Sequence, residues 1–142
     1  MTAQPLWRRA LAEFLGTALL VAVVVGSGIA AQRLSADRGL QLLENSIATA
    51  LGLGVLILLL APVSGAHFNP VISLADAILN RSRGGTSASD LAAYLPAQAL
   101  GGIAGAILAN AMFATPTTIA TTDRATPATF LAEVVATAGL VL

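Results

Sequence analysis

Two long apolar runs limit what this chain can fold into. Residues 10–31 form a 22-residue run with one charged side chain, Glu13, and residues 40–61 form a second run of equal length. Crossing the hydrocarbon of a bilayer takes about 20 apolar residues. Backbone groups inside that hydrocarbon must bond to one another, which a helix achieves. We therefore expect an all-α membrane protein.

The composition supports the membrane class and excludes several others. The chain is 56% hydrophobic and only 10% charged, whereas roughly a quarter of the residues in soluble domains are charged. Its seven basic and seven acidic residues cancel, so no nucleic-acid partner is expected, because phosphate binding needs a basic surface. The absence of Cys excludes a disulfide framework and a zinc–thiolate site.

Two further apolar runs follow. Residues 88–113 are long enough to span a membrane. They carry small residues at four-residue spacing: Ala97, Gly101, Gly105 and Ala109. Small residues at this spacing favour close helix contact, which we expect within the chain rather than between subunits. Residues 128–142 end with the sequence after 15 residues and without a polar flank. We expect an incomplete domain, with a first repeat over 1–113, a linker over 114–127 and the start of a second repeat thereafter.

An internal repeat supports this division. Residues 11–21, "LAEFLGTALLV", match residues 131–141, "LAEVVATAGLV", at seven of eleven positions, including Glu13 and Glu133. A carboxylate inside a membrane span is rare and costly, so two unrelated spans seldom carry one at matching positions. Three predicted spans separate the two starts, which indicates an inverted-topology repeat.

The alternative for the first run is a cleaved signal peptide, because Arg8 and Arg9 precede it and small residues end it. An early carboxylate fits that alternative poorly, and a signal peptide has no reason to recur. The arginines also predict orientation, with the N-terminus in the cytoplasm by the positive-inside rule. Four lie on the N-terminal side and three on the other: Arg8, Arg9, Arg81 and Arg83 against Arg33, Arg38 and Arg124.

A polar break, "SGAHFNP" at residues 64–70, interrupts the second run before a short apolar stretch, residues 71–79. Non-helical backbone at membrane depth survives only when buried in protein or lining water. Asn69 is a strong N-cap residue and Pro70 suits the first helical position. The pattern predicts a half-helix whose positive end points at the membrane midplane. A soluble helix–turn–helix is the alternative.

Four segments carry a family resemblance: "AEFLGTALLV", "SGAHFNPV", "YLPAQ" and "LAEVVATAGLV". With them the chain resembles the aquaporin and aquaglyceroporin (major intrinsic protein) family over its whole length. The resemblance implies a right-handed bundle of six spans and two re-entrant half-helices, packed as a homotetramer in the cell (inner or plasma) membrane. This chain would supply three spans, one half-helix and the start of a fourth span.

The resemblance also implies roles for individual residues. Asn69, Pro70 and Val71 would form the half-helix signature, with the Asn69 amide donating into a pore. Backbone carbonyls would line its cytoplasmic half: those of Gly65, Ala66 and His67. The His67 side chain would serve loop packing or gating. Structural braces would be Glu13, Gln98 and Glu133, the first accepting hydrogen bonds from the backbone near the re-entrant loop.

Two residues depart from the family pattern. The signature usually reads Asn-Pro-Ala, and Val71 replaces the alanine. An ungapped count places Thr49 at a filter position where water-selective members carry an aromatic ring. A wider constriction would admit glycerol, urea or an uncharged metalloid hydroxide such as arsenous acid, besides water. The second Asn-Pro signature does not occur in the sequence, so either a longer chain or two oppositely oriented copies would complete a pore.

The predicted function is a passive channel for water or small uncharged solutes. The alternative is a non-conducting helical remnant or an assembly subunit of a channel. An enzyme is not expected, since His67, Asp76 and Asp90 show no metal-ligand or catalytic-triad spacing. No metal or cofactor is expected either. A secondary transporter would normally place a charged site near the break, and none is visible.

Overall fold

The structure, a computed structural model, describes residues 4–119, 121 and 125–141. Arg124, which entered the prediction of orientation, lies outside these residues. The described residues contain helices and turns and no strand, which confirms the all-α prediction. The helices are α1 (Leu6–Leu34), α2 (Arg38–Ser64), α3 (Pro70–Leu79), α4 (Ala88–Met112) and α5 (Pro127–Val141), with a 3₁₀ turn at Arg81–Arg83.

Three of the described helices, α1, α2 and α4, are long and apolar enough to cross a membrane. Helices α1 and α2 contain the first two runs predicted to span, and α4 covers the third except its last residue, Phe113. Helix α2 begins where the Asp37 carboxylate accepts hydrogen bonds from the N–H groups of Gly39 and Leu40. It continues through Pro62 and ends at Ser64, three residues beyond the predicted run.

Helices α1 and α4 are in close contact along their length. A Cβ added at Gly101 would lie 2.5 Å from the carbonyl oxygen of Phe14, and one at Gly105 would overlap the backbone of Ala18. Each glycine therefore lets the backbones approach where a side chain would separate them. The small residues of the third run serve contact within the chain, as the sequence predicts.

Polar contacts at both ends fix α1 and α4 as parallel neighbours. At the start of the two helices, a guanidinium nitrogen of Arg9 lies 2.7 Å from the carboxylate of Asp90. Asp90 also closes a capping box with Ser87 at the start of α4. At the far end, Arg33 donates a hydrogen bond to the carbonyl oxygen of Phe113. Helix α2 packs on α1 in the opposite direction, which leaves the loop after Ser64 beside the first turns of α1.

Helix α2 has little packing within the described residues. Only Leu56 and Ser64 are buried along it, while large apolar side chains such as Leu51 and Leu58 are exposed. An apolar surface of this extent needs lipid or another apolar partner. Helix α3 contacts α4 and α5, so the short helix lies against the bundle rather than alone.

We predict that Gly105→Ala destabilises the fold, because the new methyl group meets backbone of α1 that cannot move away cheaply. Overpacking of this kind costs about 1–3 kcal/mol. Thermal unfolding in detergent, followed by circular dichroism, measures the effect. Gly102→Ala is the matched control: apart from the backbone of its own helix, no described atom lies within 4 Å of an added Cβ there, so its melting temperature should stay equal or rise. Equal melting temperatures for the two variants would contradict the packing account.

Candidate functional site

The loop between α2 and α3 leaves helical geometry in a strained way. Gly65 ends α2 with φ of 95°, and two residues with side chains also adopt the left-handed region, Ala66 at 56° and Phe68 at 52°. Such conformations of non-glycine residues cost of order 1–3 kcal/mol each and persist only where their surroundings enforce them. The loop must therefore be held from outside.

The carboxylate of Glu13 holds this loop. One oxygen accepts hydrogen bonds from the Ser64 hydroxyl at 2.6 Å and the His67 backbone N–H at 3.0 Å. The other accepts from the Phe68 backbone N–H at 2.7 Å and the Gln98 side-chain amide at 2.8 Å. Glu13 has no solvent-exposed surface. Hydrogen bonds to charged groups contribute about 1.5–3 kcal/mol each, so this cluster can offset the backbone strain.

These bonds also set the direction of the loop carbonyls. In a trans peptide the C=O points opposite to the N–H of the same unit. Because the N–H groups of His67 and Phe68 point at Glu13, and that of Ala66 donates to the Ser64 hydroxyl at 3.1 Å, the preceding carbonyls point away. Those carbonyls belong to Gly65, Ala66 and His67, and they accept no hydrogen bond from any described residue.

Asn69 joins the loop to the half-helix. Its side-chain oxygen caps α3 by accepting from the Val71 N–H at 2.8 Å, and its backbone carbonyl accepts from the Ser73 N–H at 3.1 Å. Pro70 occupies the first turn, where its missing N–H is harmless. The Asn69 amide nitrogen donates to no described residue and is left for an external acceptor. The Val71 side chain is half exposed at the same end.

Aromatic packing completes the support of the loop. The Tyr94 hydroxyl donates to the Ser64 carbonyl at 2.8 Å, and its ring lies nearly perpendicular to the His67 ring. The Phe68 side chain is buried against α1, where a Cβ on Gly16 would overlap it. Gly16 lies one helical turn after Glu13, so the same face of α1 binds the loop backbone and receives its aromatic ring.

Of the other three predicted site residues, one joins the cluster around Glu13 and two lie outside it. Gln98 is buried on α4 and donates to both Glu13 and Ser73. Thr49 lies on α2 with a buried hydroxyl oxygen that has no partner among the described residues. Glu133 is exposed on α5, and its carboxylate has no described hydrogen-bond partner. The loop cluster thus contains Glu13 and Gln98 but neither Thr49 nor Glu133.

A polar cavity of about 510 Å³ opens beside the loop. Its walls include the Gly65 backbone, the His67 ring and the paired Arg9 and Asp90. A larger apolar groove between α1, α2 and α4 lies away from the loop. The polar cavity therefore adjoins the loop at Gly65 and His67. In the described residues, no group of acidic or histidine side chains suited to a metal ion accompanies it.

The end of α3, which lies outside the three spans, is fixed by Asp76. Its carboxylate accepts from the hydroxyl and the N–H of Thr86 at 2.6 and 2.7 Å and from the Asn80 amide at 2.8 Å. The Thr86 hydroxyl bond is the main cause of a pKa of Asp76 below its ordinary value. This support is present above the ordinary carboxylate range and is lost as the pH falls through the lowered value.

Sequence reasoning missed several members of the cluster. Ser64 and Ser73 flank the loop and gave no signal beyond being polar within apolar surroundings. Tyr94 could have been found, because it lies four residues before Gln98, and residues at that spacing share a helix face. Gly16 could not have been found in this way. Glycine is required there because the Phe68 ring, from the distant loop, packs directly against its backbone.

The spans, the loop and the half-helix together define a class: a helical membrane protein with a re-entrant segment held by a buried carboxylate. Residues 1–142 match the family model described as Major intrinsic protein. The chain belongs to the major intrinsic protein family.

Relatives from several organisms agree with this family assignment. Aquaglyceroporin AqpS of Rhizobium meliloti is 50% identical over 137 residues, which cover 96% of this chain and 57% of the relative. The Glycerol uptake facilitator protein of Pseudomonas aeruginosa is 37% identical over 76% of this chain and 37% of its own length. Aquaporin-2 of Rattus norvegicus is 40% identical over 71% and 34% respectively. The chain therefore spans between a third and three fifths of these relatives.

We predict that Glu13→Gln strongly destabilises the loop. The amide group turns one acceptor oxygen into a donor that faces other donors, and each buried group left unpaired costs about 1–3 kcal/mol. Limited proteolysis at the loop and thermal unfolding should both show the loss. Glu44→Gln is the matched control, because the Glu44 carboxylate has no described hydrogen-bond partner. Unchanged stability of Glu13→Gln would show that the carboxylate is not the support of the loop.

Proposed function

We propose that this chain forms part of a passive transmembrane path for water and small uncharged solutes. The observation that supports the proposal is the loop. Three successive carbonyls, and then the Asn69 side-chain nitrogen at the start of α3, have no hydrogen-bond partner among the described residues. A molecule that both donates and accepts hydrogen bonds can exchange its water partners for these groups. Asn69 would supply the donor at the membrane midplane.

Charges around the loop favour a neutral solute. The positive end of the α3 dipole faces the same region as the Asn69 amide, and it opposes cations. The negative charge of Glu13 is enclosed by four donors and cannot offset that field at the surface of the path. At the polar cavity, Arg9 and Asp90 pair with each other. This arrangement would therefore oppose the entry of cations.

The wider assembly extends this proposal. Residues 1–113 would be the first repeat, 114–127 the linker and 128–142 the start of a second repeat. Glu133 would then brace a second loop as Glu13 braces the first. The complete protein would lie in the cell membrane as a homotetramer with its N-terminus in the cytoplasm. The membrane-length helices and the exposed apolar face of α2 support a lipid-embedded protein.

The solute range would depend on Thr49. A small side chain at the filter position leaves more room than an aromatic ring, so the path would admit glycerol, urea or arsenous acid besides water. The names of two relatives, an aquaglyceroporin and a glycerol uptake facilitator, support a solute range beyond water.

Osmotic swelling tests the proposal. The protein is purified from its native membrane, its intact mass is recorded, and it is reconstituted into liposomes. We expect water flux above that of empty liposomes, without saturation and without an ion gradient. Protein that is folded, complete by mass and without flux would instead support the non-conducting subunit.

We predict that Asn69→Asp abolishes most of the water flux while the fold survives. Aspartate keeps the capping oxygen of α3, but it replaces the donor amide with an acceptor and adds a charge. Loss of a single hydrogen bond alone corresponds to about a two- to tenfold decrease. Stopped-flow light scattering measures the flux, and circular dichroism checks the fold. Undiminished flux through a folded Asn69→Asp protein would remove Asn69 from the path.

We predict that Thr49→Phe separates the solutes. A ring at a narrow point should exclude glycerol far more than water, because pore diameter governs the selection of neutral molecules. The ratio of glycerol to water permeability, measured on the same liposomes, should therefore fall. Thr49→Ser is the control and should leave the ratio unchanged. An equal ratio in Thr49→Phe would place the filter elsewhere.

A further inference from the structure

The hydrogen-bond chain behind the loop determines more than the loop shape. Gln98 is buried, and its amide nitrogen lies 2.8 Å from the Glu13 carboxylate and 2.9 Å from the Ser73 hydroxyl. A carboxylate oxygen that already faces other donors can only accept, so the nitrogen of the Gln98 amide must be the atom that faces it. Both hydrogens of that nitrogen therefore form hydrogen bonds, one to Glu13 and one to Ser73.

Ser73 connects the Gln98 amide to the histidine ring. Its hydroxyl is fully buried and has two partners among the described residues, the Gln98 nitrogen and the His67 ring nitrogen Nδ1 at 3.0 Å. The Gln98 nitrogen cannot accept a hydrogen bond. The Ser73 hydrogen therefore has one acceptor available to it, Nδ1 of His67, and Nδ1 must be unprotonated.

The neutral ring then carries its hydrogen on Nε2, and this atom lies at the cavity. A Cβ added at Gly65 would be 3.1 Å from Nε2, which places Nε2 directly beside the exposed backbone of Gly65. The His67 ring lines the polar cavity, and Nε2 has no hydrogen-bond partner among the described residues. The Tyr94 ring packs nearly perpendicular to the imidazole, with centroids 5.7 Å apart, and restricts the orientation of the histidine ring.

We propose that Glu13, Gln98 and Ser73 hold His67 in its Nε2–H tautomer, and that this ring N–H is a hydrogen-bond donor to solutes entering beside Gly65. The donor role rests on the proposed function, whereas the tautomer does not. The mouth then offers a donor next to the loop carbonyls, as Asn69 does at the other end of the loop. His67 would thus help select solutes that can accept a hydrogen bond while donating to the carbonyls.

The tautomer is tested by nitrogen NMR on the intact chain with ¹⁵N-labelled histidine. His67 is the only histidine in residues 1–142, and its two ring signals are identified as those that disappear in His67→Gln. At alkaline pH, where free imidazole is neutral, we expect hydrogen coupled to Nε2 alone. Ser73→Ala should shift the Nδ1 signal because that nitrogen loses its donor, and Ser73→Thr should restore it. Hydrogen on Nδ1, or an Nδ1 signal unmoved in Ser73→Ala, overturns the inference.

The donor role is tested by water flux in liposomes. His67→Phe keeps a ring but removes the donor, and we expect about a two- to tenfold decrease, the effect of one hydrogen bond. His67→Gln can place an amide nitrogen near the position of Nε2 and should retain more of the flux. Thermal unfolding verifies that both variants fold. If His67→Phe does not fold, the donor role is tested by comparing His67→Gln with the unmodified protein. A folded His67→Gln whose flux does not exceed that of empty liposomes counts against the donor role.

The two proposals fail in distinguishable ways. Flux in the unmodified protein that is unchanged in a folded His67→Phe overturns the donor role and leaves the proposed function standing. No flux in the unmodified protein overturns the proposed function together with the donor role. The tautomer is then still decided by NMR alone.

Discussion

Inside a bilayer, a loop that leaves helical geometry must find new partners for its backbone groups, and in this chain the Glu13 carboxylate is that partner. It binds two loop N–H groups and the hydroxyl that ends α2, and it reaches α4 through Gln98. A single buried charge would be very costly in such surroundings. Four donors compensate for that cost, so the charge and the loop stabilise each other.

The same interaction divides the loop into a side bound by protein and a side left for other molecules. Because Glu13 binds N–H groups, the carbonyls of the same peptide units point outward. The Asn69 side chain is divided in a similar way: its oxygen caps α3, and its nitrogen has no hydrogen-bond partner in the part of the chain that the structure describes. A row of outward-facing polar groups thus follows from how the backbone is supported, without any charged side chain in the loop.

Helix α1 connects this site to the rest of the bundle. Its face toward the loop contains Glu13 and Gly16, while its backbone near Phe14 and Ala18 admits the glycines of α4. Gln98 lies on α4 a few residues before those glycines, so close backbone contact also brings its amide within reach of the carboxylate. Packing of the two helices and geometry of the loop are therefore coupled: separating α1 from α4 would withdraw one of the four donors.

The sequence by itself determined the spans, the break, the capped half-helix and the close contact of the small residues of α4. Each follows from a local rule of length, spacing or capping. The tertiary structure alone decided that Ser64, Ser73 and Tyr94 join Glu13, that Gly16 must be glycine and which tautomer His67 adopts. Those depend on side chains up to 85 residues apart meeting in one place, and no local pattern encodes the distances or directions of such contacts.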